Sequence, residues 1–234
     1  MIDSEGARPP ADIQDCYPLA EMQRDLLSNG KPEQPVGWNL EQVVGHLRED
    51  LDAVRLEEAW QHVVNRHAIL RSCVHWETGR EPILEVHSIV PVRIERQDWR
   101  SLARVPRALA LDAWLKADRR RSLPIDESPM MRIALLRLGE ADYRLVWTFH
   151  HLLLDARSFT LVLNEVFTTY EALRYGRYPA LGEARRYREF IEWQRTQDSA
   201  AAKDFWRGFL QGFEGVTAVE LPPPFPPPTL FRPA

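Results

Sequence analysis

Two cysteines in 234 residues, Cys16 and Cys73, are too few for a disulfide framework, and they form no paired motif. Their scarcity points to a reducing compartment. Positive charge is in deficit: 30 Lys and Arg against 34 Asp and Glu leave a formal charge of −4. That excludes the basic footprint of a nucleic-acid binder. Long apolar runs are missing too. Nothing approaches the ~18 apolar residues of a membrane-spanning helix, and no basic-then-apolar signal opens the chain. A cytoplasmic protein is the expectation. A metal site needs at least three convergent ligands with supporting partners. No His, Cys, Asp and Glu cluster is evident, so no metal is expected.

What remains is a globular composition, 44% hydrophobic and 27% charged, in a length that suits one large or two small domains. The stretch Phe149-His150-His151-Leu152-Leu153-Leu154-Asp155-Ala156-Arg157-Ser158 organises the rest. Residues 143–150 alternate Leu145, Trp147 and Phe149 with Val146, Thr148 and His150, the period of a strand. From about Ser158, Phe159, Val162, Leu163, Val166, Phe167, Tyr170 and Leu173 follow at helical spacing. Successive strand residues face opposite sides. His150 and His151 therefore cannot both enter one cavity while the chain stays extended: one is structural and one functional, or both are core histidines with satisfied hydrogen bonds.

Other segments read in the same way. Residues 39–47 form a strand, and Asp52 caps a helix whose stripe is Leu56, Ala59, Trp60, Val63, Val64 and His67. Residues 69–76 form a strand, turn at Thr78-Gly79 and return through 83–87 as a hairpin. A short strand covers 92–95, and a helix covers 106–121 with Leu109, Ala113 and Trp114 on one face. Its basic end, Arg119-Arg120-Arg121, is a solvated helix terminus or a contact for an acidic partner protein. Pro18 is placed to start a helix carrying Leu19, Met22, Leu26 and Leu27. A hairpin turn at 139–142 joins the strand 132–138 to the histidine strand. The Pro-rich run 220–228 is a polyproline spacer, with an SH3-type ligand as the alternative.

His150, His151 and Asp155 resemble the HHxxxDG signature of nonribosomal peptide synthetase condensation domains, with Ala156 in place of glycine. The wider superfamily includes chloramphenicol acetyltransferase and the carnitine and dihydrolipoyl acyltransferases. Further segments in order strengthen the resemblance. Tyr17, Pro18, Leu19, Met22 and Gln23 are similar to the first core motif, YPLSPMQ. Arg66, His67, Leu70 and Arg71 are similar to the second, RHxxLR. The stretch 123–132 is similar to FDLxxxPLxR, and Tyr187, Phe190 and Trp193 to YxDFxxW. The helix beginning at 200 continues as in these domains.

The resemblance implies an α/β fold: a two-layer sandwich of chloramphenicol acetyltransferase type, its mixed and mostly antiparallel sheet covered by helices 52–67 and 158–173. It implies that residues 1–14 are a lead-in, 15–215 the N-terminal lobe of a condensation domain, and 216–234 a linker toward a second lobe. It places His151 in the active-site channel, gives His150 a motif role and makes Asp155 a structural residue paired with an arginine, Arg66 in preference to Arg71. Ala156 is costly if the family's glycine needs positive φ or close approach of substrate. The implied chemistry joins an acyl or peptidyl thioester to an aminoacyl acceptor, both carried on phosphopantetheine of carrier proteins, with no cofactor bound by the lobe itself. Two alternatives stand beside it: a non-catalytic lobe that docks carrier proteins, and an acyltransferase that completes its site by oligomerising.

Overall fold

The computed structural model describes residues 12–28, 39–76, 78–213 and 215, so residues 1–11 of the expected lead-in and the Pro-rich run lie outside the described residues, while Ile13 and Gln14 of that lead-in already belong to the first strand. In chain order the elements are β1 (Ile13–Pro18), α1 (Glu21–Ser28), β2 (Leu40–Leu47), α2 (Ala53–Arg66), a 3₁₀ turn (Ala68–Arg71), β3 (Ser72–His75), β4 (Ile83–His87), β5 (Ile94–Asp98), α3 (Arg104–Arg120), β6 (Met131–Gly139), β7 (Asp142–His150), α4 (Ala156–Arg174), α5 (Tyr187–Arg195) and α6 (Ser199–Phe209).

The strands form two sheets, a three-stranded one ordered β1-β4-β3 and a four-stranded one ordered β2-β7-β6-β5. Among the described strands only the β5–β6 pair is parallel, so the α/β class with mixed, mainly antiparallel sheets is as expected. The parallel pair requires a crossover, and α3 supplies it. β7 is central because it pairs on one side with β6 through a tight hairpin and on the other with β2. Its alternation decides what each face covers. Leu145, Trp147 and Phe149 join the core beneath α2 and α4, while Val146, Thr148 and His150 point the other way. Trp147 packs on Trp60 of α2 with ring centroids 4.9 Å apart, and Phe149 lies 6.2 Å from Phe159 of α4. Leu56, Ala59, Trp60, Val63 and Val64 form the buried stripe of α2, as their spacing predicts, but His67, expected on the same stripe, is the extended C-cap that ends the helix. Asp52 caps that helix by accepting from the amides of Val54 and Arg55 at 3.0 Å. Gly176 ends α4 with φ +62°, and the Arg177 amide donates back to Ala172 O.

The chain departs from the sequence reading in three places. Pro18 ends a strand rather than starting a helix, because Tyr17 and Pro18 pair with Leu84 and Ile83 of β4. Residues 69–71 belong to the 3₁₀ turn, and the strand begins only at Ser72. Leu109 is 68% exposed and Ala113 is exposed as well. The inward face of α3 is instead Ala110, Leu111, Trp114, Leu115 and Asp118. A buried carboxylate explains that rotation. Asp118 sits under the C-terminal end of α3 and accepts from Arg132 Nε at 2.7 Å, Thr148 Oγ1 at 2.6 Å and Gln42 Nε2 at 2.9 Å. Arg132 also donates to the carbonyls of Asp118 and Arg121, which neutralises the negative end of the helix. Burial pushes the Asp118 carboxyl up, but these hydrogen bonds and the Arg132 charge outweigh it and hold the group below its ordinary range.

Among the described residues, those from Thr196 onward belong to a second compact unit. Within it, Asp198 caps α6, and Phe205, Trp206 and Phe209 cluster along the helix. Among the described residues, no helix is long and apolar enough to cross a membrane.

Candidate active site

Where β7 ends, sheet pairing continues for one more step on each side: the His150 amide donates to Met130 O at 3.0 Å and the His151 amide to Asn39 O at 2.8 Å. The chain then turns, with the Leu153 amide donating to His150 O. Leu152, Leu153 and Leu154 are all buried, so the turn is pinned into the core at three consecutive positions. The two histidines part as strand geometry requires. His150 is buried, and its Nδ1 accepts from the Leu152 amide at 3.1 Å. Burial, reinforced by the neighbouring His151, lowers its pKa to about 4, so at neutral pH it is an uncharged packing residue.

His151 is half-buried and lines a cleft of about 560 Å³ together with Gln23, Leu154, Ser158, Tyr187 and Phe190. Its Nδ1 lies 2.9 Å from Leu154 O. A carbonyl only accepts, so this contact requires the proton on Nδ1 and leaves Nε2 of the neutral ring with its lone pair. The ring is held by its own loop in a tautomer suited to taking a proton.

Two distant elements hold that loop and wall the cleft. Gln23 of α1 is buried; its Nε2 donates to Leu152 O at 2.7 Å and its Oε1 accepts from the Ala20 amide at 2.9 Å. Helix α5 contributes Tyr187, Phe190 and Gln194, spaced i, i+3 and i+7 on one face. It is tied to β1 by Arg188, which pairs with Asp15 and donates to Cys16 O at 2.8 Å. The Arg188 hydrogen bond draws the Asp15 carboxyl below its usual range. Burial pushes the Tyr187 hydroxyl up to about 12, so it stays protonated at the cleft wall.

The remaining expected residues take other places. Asp155 is exposed and is the N-cap of α4, accepting from the Ser158 amide at 2.7 Å. The Ser158 side chain, and after it that amide, hold its carboxyl below the ordinary range. Neither arginine pairs with it. Arg66 pairs with Glu165 of α4 at 3.1 Å and donates to Gly182 O. Arg71 is buried and donates to the carbonyls of Val64 and His87. The expected arginine–Asp155 pair is thus replaced by a helix cap, because Glu165 competes for Arg66 while the Ser158 amide already satisfies the carboxylate. Ala156 opens α4 at its first helical position, and among the described residues no non-glycine has positive φ. The backbone therefore makes no demand for glycine there.

On α5, Tyr187 packs against the core and Ile191 is buried, whereas Phe190 is 43% and Trp193 57% exposed. Met22 on the opposite rim of the cleft is 70% exposed. The expectation that no metal-ligand cluster exists is revised as well. Cys73, Glu85 and His87 bring their ligand atoms within 4.8 Å of one another on the three-stranded sheet. Gln23 is legible in the sequence only as a motif residue, since its partner Leu152 lies 129 positions away.

Comparison with known proteins extends these observations. The family model described as "Condensation domain" matches residues 13–231. A linear gramicidin synthase of Brevibacillus parabrevis is 36% identical over 208 residues, which are 89% of this chain and 3% of that protein. Bacitracin synthase 3 of Bacillus licheniformis is 31% identical over 210 residues, 90% of this chain and 3% of that protein. Among solved structures, the SgcC5 protein from Streptomyces globisporus superposes with a TM-score of 0.68 at 28% identity, covering 84% of this chain and 46% of that one. The starter condensation domain of rhizomide synthetase superposes with a TM-score of 0.73 at 18% identity, covering 86% of this chain and 49% of that one. The chain thus spans a few per cent of the curated relatives it matches and about half of these solved chains. A match that runs from β1 through α6, over a fold shared with those structures, means that the chain belongs to the condensation-domain family.

Proposed function

We propose that residues 15–215 are the N-terminal lobe of a condensation domain and provide the histidine wall of a site that joins two carrier-bound substrates in nonribosomal peptide synthesis. The donor is an acyl or peptidyl thioester and the acceptor an amine, or a hydroxyl where an ester is made, each on a phosphopantetheine arm. One observation carries this reading: His151 sits at the wall of the cleft with Nδ1 bound to Leu154 O, leaving Nε2 to receive a proton.

In the proposed reaction the acceptor nitrogen attacks the thioester carbonyl. The new C–N bond forms as the C–S bond breaks, and the proton lost from nitrogen passes by way of His151 Nε2 to the departing thiolate. An α-amine of pKa 7.7–8.0 is roughly one-tenth neutral at pH 7, so deprotonation itself costs only about 1 kcal/mol. Holding the two arms together is the larger contribution, up to ~7–11 kcal/mol in ideal cases. General-base help adds about 10²–10⁴-fold.

Positioning therefore needs a second wall. The exposed Met22, Phe190 and Trp193 around the cleft support a reading in which a partner lobe covers this face. The Pro-rich 216–234 is then a stiff spacer toward that lobe, and carrier proteins and neighbouring synthetase domains are the partners, in the cytoplasm. On this reading the 234-residue chain alone is inactive. The test incubates it with donor-loaded and acceptor-loaded carrier proteins, with and without the complementary lobe supplied in trans, and follows the condensed product by mass spectrometry. Product is expected only with both lobes and is expected to vanish in His151→Ala. Turnover by the chain alone, or rescued turnover that survives His151→Ala, overturns the proposal.

A further inference from the structure

We propose that the outer face of the β1-β4-β3 sheet is a zinc site formed by Cys73, Glu85 and His87. Strand alternation builds it. Tyr17, Val74, Leu84 and Val86 point into the core, so their neighbours Cys16, Cys73, His75, Glu85 and His87 share the opposite face. The ladder then aligns them in space. Cys73 of β3 is directly opposite Glu85 of β4, and Cys16 of β1 is opposite the same residue from the other side. Two strands with the pattern ligand-x-ligand, Cys73-x-His75 and Glu85-x-His87, thus run side by side.

The geometry is close to that of a metal site. One ligand atom from each of Cys73, Glu85 and His87 lies within 4.8 Å of the others. Cys73 Sγ is already 3.3 Å from His87 Nε2. Ligand atoms around a tetrahedral zinc, at bond lengths of 2.0–2.3 Å, are about 3.5 Å apart. The side chains therefore need to move by only about an ångström to close on the ion. The donor set selects the metal. A thiolate and an imidazole favour zinc over magnesium or calcium, and one thiolate with one carboxylate balances a divalent charge.

A supporting shell is present as well. Asp12 Oδ2 lies 3.6 Å from His87 Nδ1, within ion-pair range; closing that gap to a hydrogen bond gives the carboxylate–imidazole arrangement that directs Nε2 toward a metal. His75 Nδ1 lies 3.7 Å from Glu85 Oε1, within ion-pair range of that carboxylate. Arg71 donates to His87 O and fixes the end of β4. The ligands stand on paired strands rather than on loops, which limits how far they can drift.

The test uses the untagged full-length chain, stripped by dialysis against a chelator. Cobalt(II) is added as the probe, followed by zinc. The expected result is a thiolate-to-cobalt charge-transfer band with tetrahedral visible bands at one equivalent, bleached by zinc, and a melting temperature raised by zinc. Cys73→Ser is expected to abolish the charge-transfer band. His87→Gln and Glu85→Gln should each weaken zinc binding at least 10-fold, and Asp12→Asn about 10-fold. Circular dichroism establishes that each variant is folded, and the wild-type cobalt spectrum decides the matter if one is not. Folded wild type that shows no charge-transfer band at tenfold excess cobalt overturns the proposal. So does a band that persists in Cys73→Ser, or a melting temperature that zinc leaves unchanged.

Discussion

Gln23 Nε2 donates to the carbonyl oxygen of Leu152 at 2.7 Å, across 129 positions of sequence, and so ties the first helix to the loop that carries His151. The same side chain accepts from the Ala20 amide, and the residue is buried. Truncating it leaves a buried carbonyl and a buried amide unpaired, at about 1–3 kcal/mol for each group left unsatisfied. Gln23→Ala should therefore lower the urea midpoint by the equivalent of at least about 1 kcal/mol. Gln23→Glu keeps the acceptor but sets a buried carboxylate against the Leu152 carbonyl, so it should destabilise at least as much as Gln23→Ala. A Gln23→Ala midpoint equal to wild type would show that the loop is held without α1.

Asp155 is expected to act as a helix cap and nothing more costly. Asp155→Ala should destabilise by about 1 kcal/mol, the usual value of a cap, and Asp155→Asn by a few tenths. Were the carboxylate half of a buried ion pair, the loss would be about 3–5 kcal/mol and Asn would not rescue it. Chemical denaturation of the two variants separates these cases. His151→Ala, which removes one hydrogen bond to Leu154 O, should cost a similar ~1 kcal/mol.

His150 gives the fold an acid sensitivity with a defined window. In the unfolded chain it takes up a proton near the ordinary imidazole value of ~6.5. In the folded chain, burial and then His151 delay protonation to about 4. The unfolded state thus binds more protons between these values, and stability falls as the pH falls through that window. It is full above about 6.5 and is reduced by about 3 kcal/mol near pH 4, below which this group adds no further loss. His150→Asn keeps an acceptor for the Leu152 amide and removes the titration. Melting temperatures from pH 7 to 4 should fall less steeply for that variant. Parallel curves for variant and wild type would show that His150 does not titrate differently on folding.

The histidine strand and its helix are legible in the sequence because both faces of β7 follow an unbroken alternation and α4 keeps its apolar period. The split of His150 from His151 follows from the same alternation. Long-range partners are not legible. Nothing in the order of residues distinguishes Glu165 from Asp155 as the mate of Arg66, because the choice is made by the packing of α2 against α4. The zinc-type cluster is invisible for a related reason: Cys73, Glu85 and His87 come together only when β3 and β4 pair in one register. Pro18 suits a helix start and a strand end equally, and pairing with β4 decides between them.

Asp118 shows why apolar spacing misplaces the inward face of α3. A count of apolar residues cannot see a buried carboxylate, and Asp118 and Arg132 are 4% and 14% exposed at their side chains. Asp118→Ala should cost about 3 kcal/mol, toward the low end for a broken buried pair, because Arg132 keeps its bonds to the helix carbonyls. In Asp118→Leu combined with Arg132→Met the orphaned charge is gone, so the double variant should be more stable than Asp118→Ala alone. A double variant no better than Asp118→Ala would show that the hydrogen bonds lost from Thr148 and Gln42, rather than the unpaired charge, set the loss.

Ala156 stands where the motif has glycine, and the position of its methyl predicts what restoring glycine does. The residue begins α4 in helical backbone, is exposed, and is not among the residues that line the cleft beside His151. A glycine there gains no conformation that the site uses and adds backbone entropy to the unfolded chain. Ala156→Gly should therefore lower stability by up to about 1 kcal/mol. It should leave product formation unchanged within about twofold when both lobes and loaded carriers are present. A loss of stability without a gain in turnover is the signature of a residue that serves the helix. A several-fold rise in turnover would instead place the methyl in the path of an approaching substrate arm, and the site would then extend past Asp155 onto the first turn of α4.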